Sequence, residues 1–445
     1  MRRLVMVLMG FWIVLFASGC GGGGSTYSEQ KTTENSEQTS TSSTGTWTTA
    51  AKNEFVLRRM REWYLWYDQI PASLNADDYA SPEAVLEAAR YTARDRWSYI
   101  ESAQTVTAHL STGEFTGIGI RTSQDAEARL WISQVFPGSP AEAANIVRGD
   151  QILRINGRTI AEINAENGWD TAFGEDAAGT PVTLVIRHQD TTQTSYSLLK
   201  DTFIVDAVSA TKVLQQGSVK IAYLAYDTFT SSSRSSLNQA FETFKNAGVT
   251  EMVLDLRYNS GGYIDIAAYL ASLVRDASDK ETFATIRYNQ NHSDSNYSLT
   301  YTRLSTDLNL SRVFVITAKG TCSASEMVIQ GLKPYVTVVT VGSTTCGKPV
   351  GMDLVSFDDQ VLAAISFEIA NANGEAEYYD GIAPTCPAND DLTNPLGEST
   401  ESSLATALAI LSQGSCPTTT QRRLPPKILT LWPRKHPDQG YDGMW

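Results

Sequence analysis

The chain has few of the side chains on which metal sites and histidine-assisted hydrolases depend. Its 445 residues include five cysteines and four histidines. The histidines are His109, His188, His292 and His436, each in an unremarkable polar segment. No Cys-x-x-Cys pair or adjacent histidine provides the ligand spacing of a zinc site, and no Gly-x-Ser-x-Gly elbow is present. These absences argue against a metal centre and against a serine that a histidine activates.

Positive charge is also in short supply. The chain has 35 lysine and arginine residues against 49 aspartate and glutamate residues, a formal net charge of −14. Because nucleic acids bind to positively charged surfaces, this balance argues against a nucleic acid partner. The length leaves room for two or three domains.

The longest apolar run is too short to predict a transmembrane helix. Arg2 and Arg3 precede it, it extends over residues 4–17, and a small residue pair leads to Cys20. This is the layout of a signal peptide, and Ala-Ser-Gly-Cys resembles a bacterial lipobox. We expect residues 1–19 to be a lipoprotein signal peptide and Cys20 to be lipidated. The chain would then be exported and anchored by lipid in the bacterial cell envelope, on the periplasmic side of a membrane in a Gram-negative host.

Two contrasting segments follow the lipobox. Residues 20–52 are dominated by Gly, Ser, Thr, Glu and Gln, which cannot bury enough apolar surface to fold, so they indicate a disordered linker. Residues 53–110 carry apolar and aromatic side chains at helical spacing, and Pro82 marks the first turn of a second helix. This second segment is predicted to be a small helical region.

A short β-branched strand over residues 313–317 leads into the stretch on which the prediction of function depends. The strand is followed by Ser323-Ala-Ser-Glu326 and then by apolar residues at helical spacing. A serine at such a junction is exposed above a helix N-terminus, whose free amides can hold an oxyanion. The same residues fit a capping box, in which Ser323 and Glu326 satisfy the first helical amides. The local pattern leaves both interpretations open.

Lys348 supplies the base that a serine nucleophile needs. It follows the core-like strand at residues 338–342 and lies in a Gly-Lys-Pro turn. A lysine acts as a base only when it is neutral, which burial or nearby positive charge can bring about. A turn after a buried strand is a plausible position for an inward-pointing amine.

Three motifs together resemble the carboxyl-terminal processing (tail-specific) protease family. They are S-A-S-E at Ser323, T-x-G-K at Lys348, and D-L-R-x-N-x-G-G, which ends at Gly261 and Gly262. The resemblance implies a Ser-Lys dyad in which Ser323 is the nucleophile and Lys348 the general base. It also implies an oxyanion hole formed by the amide of Gly261 or Gly262 together with that of Ala324.

The chain departs from this family at one position. The family carries a glutamine four residues after the lysine, which helps to orient it, and this chain has Met352 there. We expect Glu326 to take over that orienting role. The departure also motivates an alternative function, a catalytically weak or inactive PDZ-bearing envelope scaffold that binds proteins or peptides.

Residues 111–203 resemble a PDZ domain of the bacterial type. The series includes Gly117-Ile118-Gly119-Ile120, followed by P-G-S-P-A, R-G-D and a final I-N-G. Such a loop presents backbone amides to a chain-terminal carboxylate while a strand edge pairs with the peptide. The resemblance implies that the groove recognises or gates substrate C-termini.

The predicted fold class is a multidomain α/β protein. A small N-terminal helical region and a mostly-β PDZ domain precede a catalytic core at residues 204–416, where strands and helices alternate. The resemblance implies a crotonase-like core of repeated ββα units. An acyl-CoA enzyme would share that core but fits neither the PDZ segment, the Ser-Lys pair nor the export signal. Residues 417–445 are basic and proline-rich, and we interpret them as a poorly ordered tail.

The cysteine count suits an exported protein. Without Cys20 four remain, an even number for which three disulfide pairings are possible. Cys322 adjoins the predicted nucleophile and Cys346 lies two residues before the predicted base, so this pair is the preferred disulfide. Cys386 and Cys416 would then form the second. The predicted reaction needs no metal or organic cofactor, its partners are proteins or peptides with free C-termini, and no oligomeric state is predicted.

The lipid anchor gives a first testable prediction. The wild-type chain is expected in the membrane fraction of the host with an acylated Cys20 at its N-terminus, because the lipobox-like sequence directs both steps. Cys20→Ala should release a soluble protein, as measured by fractionation and mass spectrometry of the N-terminal peptide. A wild-type chain that is already soluble and begins at another residue would contradict this prediction.

Overall fold

The computed structural model describes residues 47–417. The predicted signal peptide, the lipidation site at Cys20, most of the linker and almost all of the C-terminal tail lie outside the described residues. None of the helices within residues 47–417 combines the length and the apolar character that a membrane span requires.

The N-terminal region begins with two capped helices. Helix α1 spans Thr49–Trp63 and α2 spans Pro82–Ala89. Thr48 caps α1 by accepting the Ala51 amide at 3.2 Å, so the helix starts four residues before the predicted Asn53. Two further elements follow, strand β1 (Tyr99–Ser102) and helix α3 (Ala103–Thr112). The predicted helical N-terminal region is confirmed, and it also contains β1, which pairs with a core strand.

The PDZ segment is mostly β, as predicted. Its elements, in chain order, are β2 (Glu114–Gly117), β3 (Ile120–Gln124), β4 (Leu130–Val135), α4 (Pro140–Ala143), β5 (Gln151–Ile155), β6 (Arg158–Thr159), α5 (Ile160–Ala165), α6 (Trp169–Ala172), β7 (Pro181–Arg187), β8 (Gln193–Leu199) and β9 (Asp201–Ile204). The main sheet has the order β3-β4-β5-β7-β8, with β6 paired to β5, while β2 pairs with β9. The alternating apolar side chains of these strands form a separate hydrophobic cluster.

The core alternates strands and helices. Its elements, in chain order, are β10 (Val208–Gln216), β11 (Val219–Tyr226), α7 (Ser233–Ala247), β12 (Glu251–Asp255), α8 (Ile264–Val274), β13 (Thr282–Tyr288), β14 (Tyr297–Thr300), β15 (Arg312–Thr317), α9 (Ala324–Leu332), β16 (Thr337–Gly342), β17 (Val350–Phe357), β18 (Gln360–Asn371), β19 (Cys386–Pro387) and α10 (Ser402–Gln413). One sheet has the order β10-β11-β12-β15-β16-β19 and is parallel from β11 onwards. Its central strands are almost continuously apolar because helices cover both faces.

A second sheet joins the N-terminal region to the core. Strand β18 pairs with β17 along one edge and with β1 and β13 along the other, and β14 completes the sheet. The apolar sides of α1 and α2 pack in one cluster with Leu362 and Ile365 of β18. The helical region therefore packs against the sheet that contains β17, the strand that follows Lys348.

A buried ionic cluster connects the PDZ segment to the core. Arg257 donates to Asp255 at 2.8 Å, to Glu401 at 2.9 Å and to Asp390 at 2.8 Å. Arg148 of the PDZ segment donates to the same Asp390 carboxylate at 2.6 Å. Although burial opposes it, attraction from Arg148 and Arg257 lowers the pKa of Asp390 to about 2.

The second prediction concerns the stability of this cluster. Asp390→Asn should lower the free energy of unfolding by roughly 3–5 kcal/mol, because it leaves two buried guanidinium groups without their shared carboxylate. The pKa of Asp390 is lower in the folded than in the unfolded state, so its ionised carboxylate stabilises the fold above about pH 4. This contribution is lost as the pH falls towards about 2. Urea unfolding at a series of pH values measures both effects.

The matched control is Asp265→Asn. Asp265 pairs with Arg234 at 2.9 Å, but the two side chains are 56% and 44% exposed, so the loss should stay below about 1 kcal/mol. Equal losses in the two variants would mean that the buried cluster contributes no more than a surface ion pair.

Candidate active site

Ser323 lies at the junction of β15 and α9 in a strained backbone conformation. Its φ is +52° and its ψ −115°, whereas an ordinary N-cap residue has extended dihedrals. Positive φ values at residues other than glycine are uncommon and cluster at functional sites. The capping interpretation alone does not account for this conformation. The neighbouring Ser325 is fully buried and donates to the Asn259 carbonyl at 2.8 Å, so its hydroxyl has a structural contact.

Ser323 and Lys348 line one cavity of about 360 Å³. Lys348 lies between β16 and β17 and is only 5% exposed, as predicted for an inward-pointing lysine. Met352, at the position of the family glutamine, lines the same cavity beside a bulge in β17. The other walls are largely apolar and are contributed by Val106, Leu110, Tyr263, Ile264, Tyr297, Leu354 and Phe367.

The Glu326 carboxylate joins the two segments that carry Ser323 and Lys348. It is completely buried and accepts the Ser323 amide at 3.0 Å and the Gly347 and Lys348 amides at 2.8 Å each. The Thr345 hydroxyl is a fourth donor. Burial raises the pKa of Glu326 above its ordinary value, and these hydrogen bonds oppose that change. By accepting these hydrogen bonds, the carboxylate orients the backbone of the turn that ends at Lys348.

The paired glycines lie in a loop that approaches Ser323 closely. Gly261 and Gly262 have φ values of +116° and +134°, and a Cβ on Gly261 would lie 2.9 Å from the Ser323 Cβ. The Gly261 amide donates to the Asn259 Oδ1 at 2.9 Å. Within residues 47–417 the amides of Gly262 and Ala324 have no hydrogen-bond acceptor. An oxyanion hole formed by the amides of Gly261, Gly262 and Ala324 stays a prediction.

The cysteines pair as expected. Cys322 is bonded to Cys346 and Cys386 to Cys416, with Cα–Cα distances of 5.1 and 5.7 Å. The first disulfide tethers the residue before Ser323 to the turn before Lys348. Glu326 lies near these two sulfur atoms, but the disulfide removes both thiolates as metal ligands.

The Gly117–Ile120 loop is covered by surrounding structure. All four residues are buried, and Ile118 and Ile120 belong to the PDZ hydrophobic core. A Cβ on Gly119 would lie 1.9 Å from the Ser139 Cβ, so only glycine fits this close approach. Capture of a carboxylate by this loop remains a prediction.

His109 is a cavity residue that the sequence did not reveal. Its polar neighbours along the chain suggested an unremarkable surface position, yet α3 places it on the cavity wall with 6% exposure. Burial, together with the positive charge of Arg121, lowers the pKa of His109 to about 3, which keeps the imidazole uncharged at neutral pH. Helical spacing does place His109 on the same side of α3 as Val106 and Leu110, but it does not show that this side faces a cavity with Ser323 and Lys348.

Three family models match the described part of the chain. They are the peptidase S41 N-terminal domain over residues 51–99, the PDZ domain over 105–186 and peptidase family S41 over 220–388. The third match contains all three of the sequence motifs on which the predicted dyad rests.

Individual relatives agree with these models. The chain is 27% identical to a carboxyl-terminal-processing protease of Picosynechococcus sp., over 58% of this chain and 60% of that protein. It is 24% identical to the carboxy-terminal processing protease CtpB of Bacillus subtilis, over 68% and 62% of the two chains. The chain thus spans about 60% of the length of these curated relatives.

A solved structure is similar over most of the chain. It is that of a Bacteroides fragilis protein assigned to the S41 proteases, with a TM-score of 0.65 and 28% identity over 80% of this chain and 97% of the other. The mixed α/β core, the PDZ domain and the helical N-terminal region are therefore arranged as in that group. Residues 220–388 belong to peptidase family S41 and residues 51–99 to its N-terminal domain, and the carboxyl-terminal processing members of this family are serine proteases.

Proposed function

We propose that the chain is a serine endopeptidase of the tail-specific type that cleaves exported or envelope proteins. The observation that carries the proposal is the strained Ser323 at the start of α9, in one cavity with the buried Lys348 and beside two open amides. Family membership supports the same reaction.

The reaction follows from the chemistry of these groups. Ser323 Oγ attacks the peptide carbonyl carbon while the neutral Lys348 amine takes the hydroxyl proton. The amides of Gly262 and Ala324 stabilise the tetrahedral oxyanion, each contributing roughly 3–4 kcal/mol in related chemistry. Lys348 then protonates the leaving amine, which leaves an acyl-enzyme on Ser323. Water attacks this ester in the second half of the reaction, Lys348 accepts its proton, and the serine is regenerated.

Glu326 acts in this scheme as a positioning residue. Its carboxylate accepts amides from the Ser323 and Lys348 segments at once, so it fixes the distance between nucleophile and base. Met352 makes the surroundings of Lys348 more apolar than a glutamine would, and this favours the neutral amine. Unlike glutamine, methionine cannot orient the amine through a side-chain amide hydrogen bond. We therefore expect reduced but real activity.

The PDZ domain and the lipid anchor define the proposed substrates. A PDZ groove that recognises or gates C-termini suits proteins and peptides with a free terminal carboxylate. Anchoring through Cys20 would restrict those substrates to the envelope. The alternative function, a scaffold that binds proteins or peptides without cleaving them, is supported by Met352 alone.

The third prediction tests the dyad. Ser323→Ala and Lys348→Ala should each abolish cleavage of an unfolded protein with a free C-terminus, because one removes the nucleophile and the other the base. Ser325→Ala is the matched control and should keep most of the activity, since the Ser325 hydroxyl binds the Asn259 carbonyl. Cleavage that survives both of the first two substitutions would exclude the dyad. An inactive wild type that still binds peptides would favour the scaffold.

The fourth prediction tests Glu326. Glu326→Gln replaces an acceptor of several N–H groups with an amide whose NH₂ group faces some of those donors. We expect kcat to fall by at least about tenfold with little change in KM, because loss of alignment raises the barrier of the chemical step. Glu398→Gln, an exposed change at a surface ion pair with Lys212, is the control. Unchanged kcat in Glu326→Gln would remove the proposed positioning role.

A further inference from the structure

A turn of the N-terminal region lies against the segment that carries Lys348. The Lys348 amine is 5.8 Å from the centroid of the Trp97 ring, which is only 4% exposed. Arg96 donates to the carbonyl of Cys346, two residues before the lysine, at 2.7 Å. Its guanidinium also stacks on the Trp97 ring at 4.7 Å. Adjacent residues of one turn thus contact both the side chain of Lys348 and the backbone that holds it.

Asp95 makes this turn rigid. Its carboxylate is 1% exposed and accepts the Trp97 amide at 2.9 Å, the Ser98 amide at 3.0 Å and the Ser98 hydroxyl at 2.6 Å. The Tyr64 hydroxyl of the N-terminal region is a further donor at 2.7 Å. Ser98 in turn accepts the Ile365 amide of β18 at 3.0 Å. The backbone that carries Trp97 is therefore fixed both to the helical region and to the core sheet.

We infer that this turn positions the general base, with Trp97 seating the Lys348 amine and Arg96 holding the backbone that carries it. The inference rests on the proposed function, in which Lys348 is the base. It gives the N-terminal helical region a part in catalysis, beyond its contribution to the hydrophobic core.

The two side chains act on the charge of Lys348 in opposite directions. An aromatic face attracts an ammonium group, so Trp97 favours the protonated amine. A neighbouring positive charge disfavours it, so Arg96 promotes the neutral amine. Several other titratable groups of the described residues lie near this turn. Glu326 accepts the Lys348 amide, Lys319 lies 3.4 Å from the Thr345 and Cys346 carbonyls, and Arg94 stacks on Tyr379 behind Gly347. Asp95 lies in the turn itself, and Asp353, the uncharged His109 and the tyrosines Tyr99, Tyr263 and Tyr297 line the cavity.

The test compares Trp97→Leu, Trp97→Phe and Arg96→Gln with the wild type in the full chain. Two pH titrations are recorded: kcat for cleavage of an unfolded protein, and labelling of the Lys348 amine by acetic anhydride, read by peptide mass spectrometry. Labelling needs no turnover. Trp97→Leu should move both midpoints down by about half a pH unit and lower kcat by about tenfold, with KM within about twofold. Trp97→Phe should restore the wild-type midpoint because it keeps an aromatic face.

Arg96→Gln should shift the midpoint the other way. Removing the positive charge of Arg96 should raise the titration midpoint of Lys348 by a few tenths of a pH unit at low salt. The shift should become smaller in about 1 M salt, because Arg96 is exposed and salt screens its charge. Arg94→Gln is the matched control in the same loop. Its guanidinium stacks on Tyr379 at 4.5 Å and, within the described residues, makes no hydrogen bond to the Cys346 carbonyl, so its titrations should stay close to those of the wild type.

The outcomes separate this inference from the proposed function. The inference would be overturned if the wild type cleaves its substrate but the midpoints of Trp97→Leu and Arg96→Gln do not shift. It would also be overturned if kcat falls only in proportion to a loss of thermal stability. A wild type that cleaves nothing would overturn the proposed function, and the labelling midpoints would still decide whether Trp97 and Arg96 act on the amine. Opposite shifts in the two variants would support the positioning role.

Discussion

The geometry of the site depends on one buried carboxylate. Glu326 lies in the first turn of α9, where it accepts the amide of Ser323, and it also accepts two amides of the turn that ends at Lys348. Desolvating a carboxylate is costly unless donors surround it, so the two segments must come together for this residue to be buried. The Cys322–Cys346 disulfide constrains the same pair of segments covalently. A polar contact and a covalent bond thus join the segments that carry Ser323 and Lys348.

The loop that carries Gly261 and Gly262 is held from the PDZ side of the molecule. Tyr258 directly precedes the Asn259–Gly262 loop, and its main-chain carbonyl accepts from Arg121. Its hydroxyl accepts from Arg148 and donates to Asp390. Arg148 and Arg257 share the Asp390 carboxylate, so the loop is fixed to a buried network of charges. Movement of the PDZ domain relative to the core would disturb the residues next to the open amides.

The remaining wall belongs to the N-terminal region. Strand β1 pairs with β18, and the Asp95 turn presents Trp97 to the Lys348 amine. Helix α3 adds His109 and apolar side chains to the cavity. The N-terminal region and the core therefore both line the cavity, whereas the PDZ segment contacts the residue that precedes the Asn259–Gly262 loop.

The sequence by itself determined the local features. Strand and helix periods, the Ser323 and Lys348 motifs and an even number of cysteines are set by neighbours along the chain, and they predicted the α/β core, the PDZ domain and the preferred disulfide. Only the tertiary structure decided which groups meet. The meeting of His109, Ser323 and Lys348 in one cavity and the contact of Trp97 with Lys348 join residues far apart in sequence. Such contacts leave no periodic signal, because they arise from how separate elements pack in three dimensions.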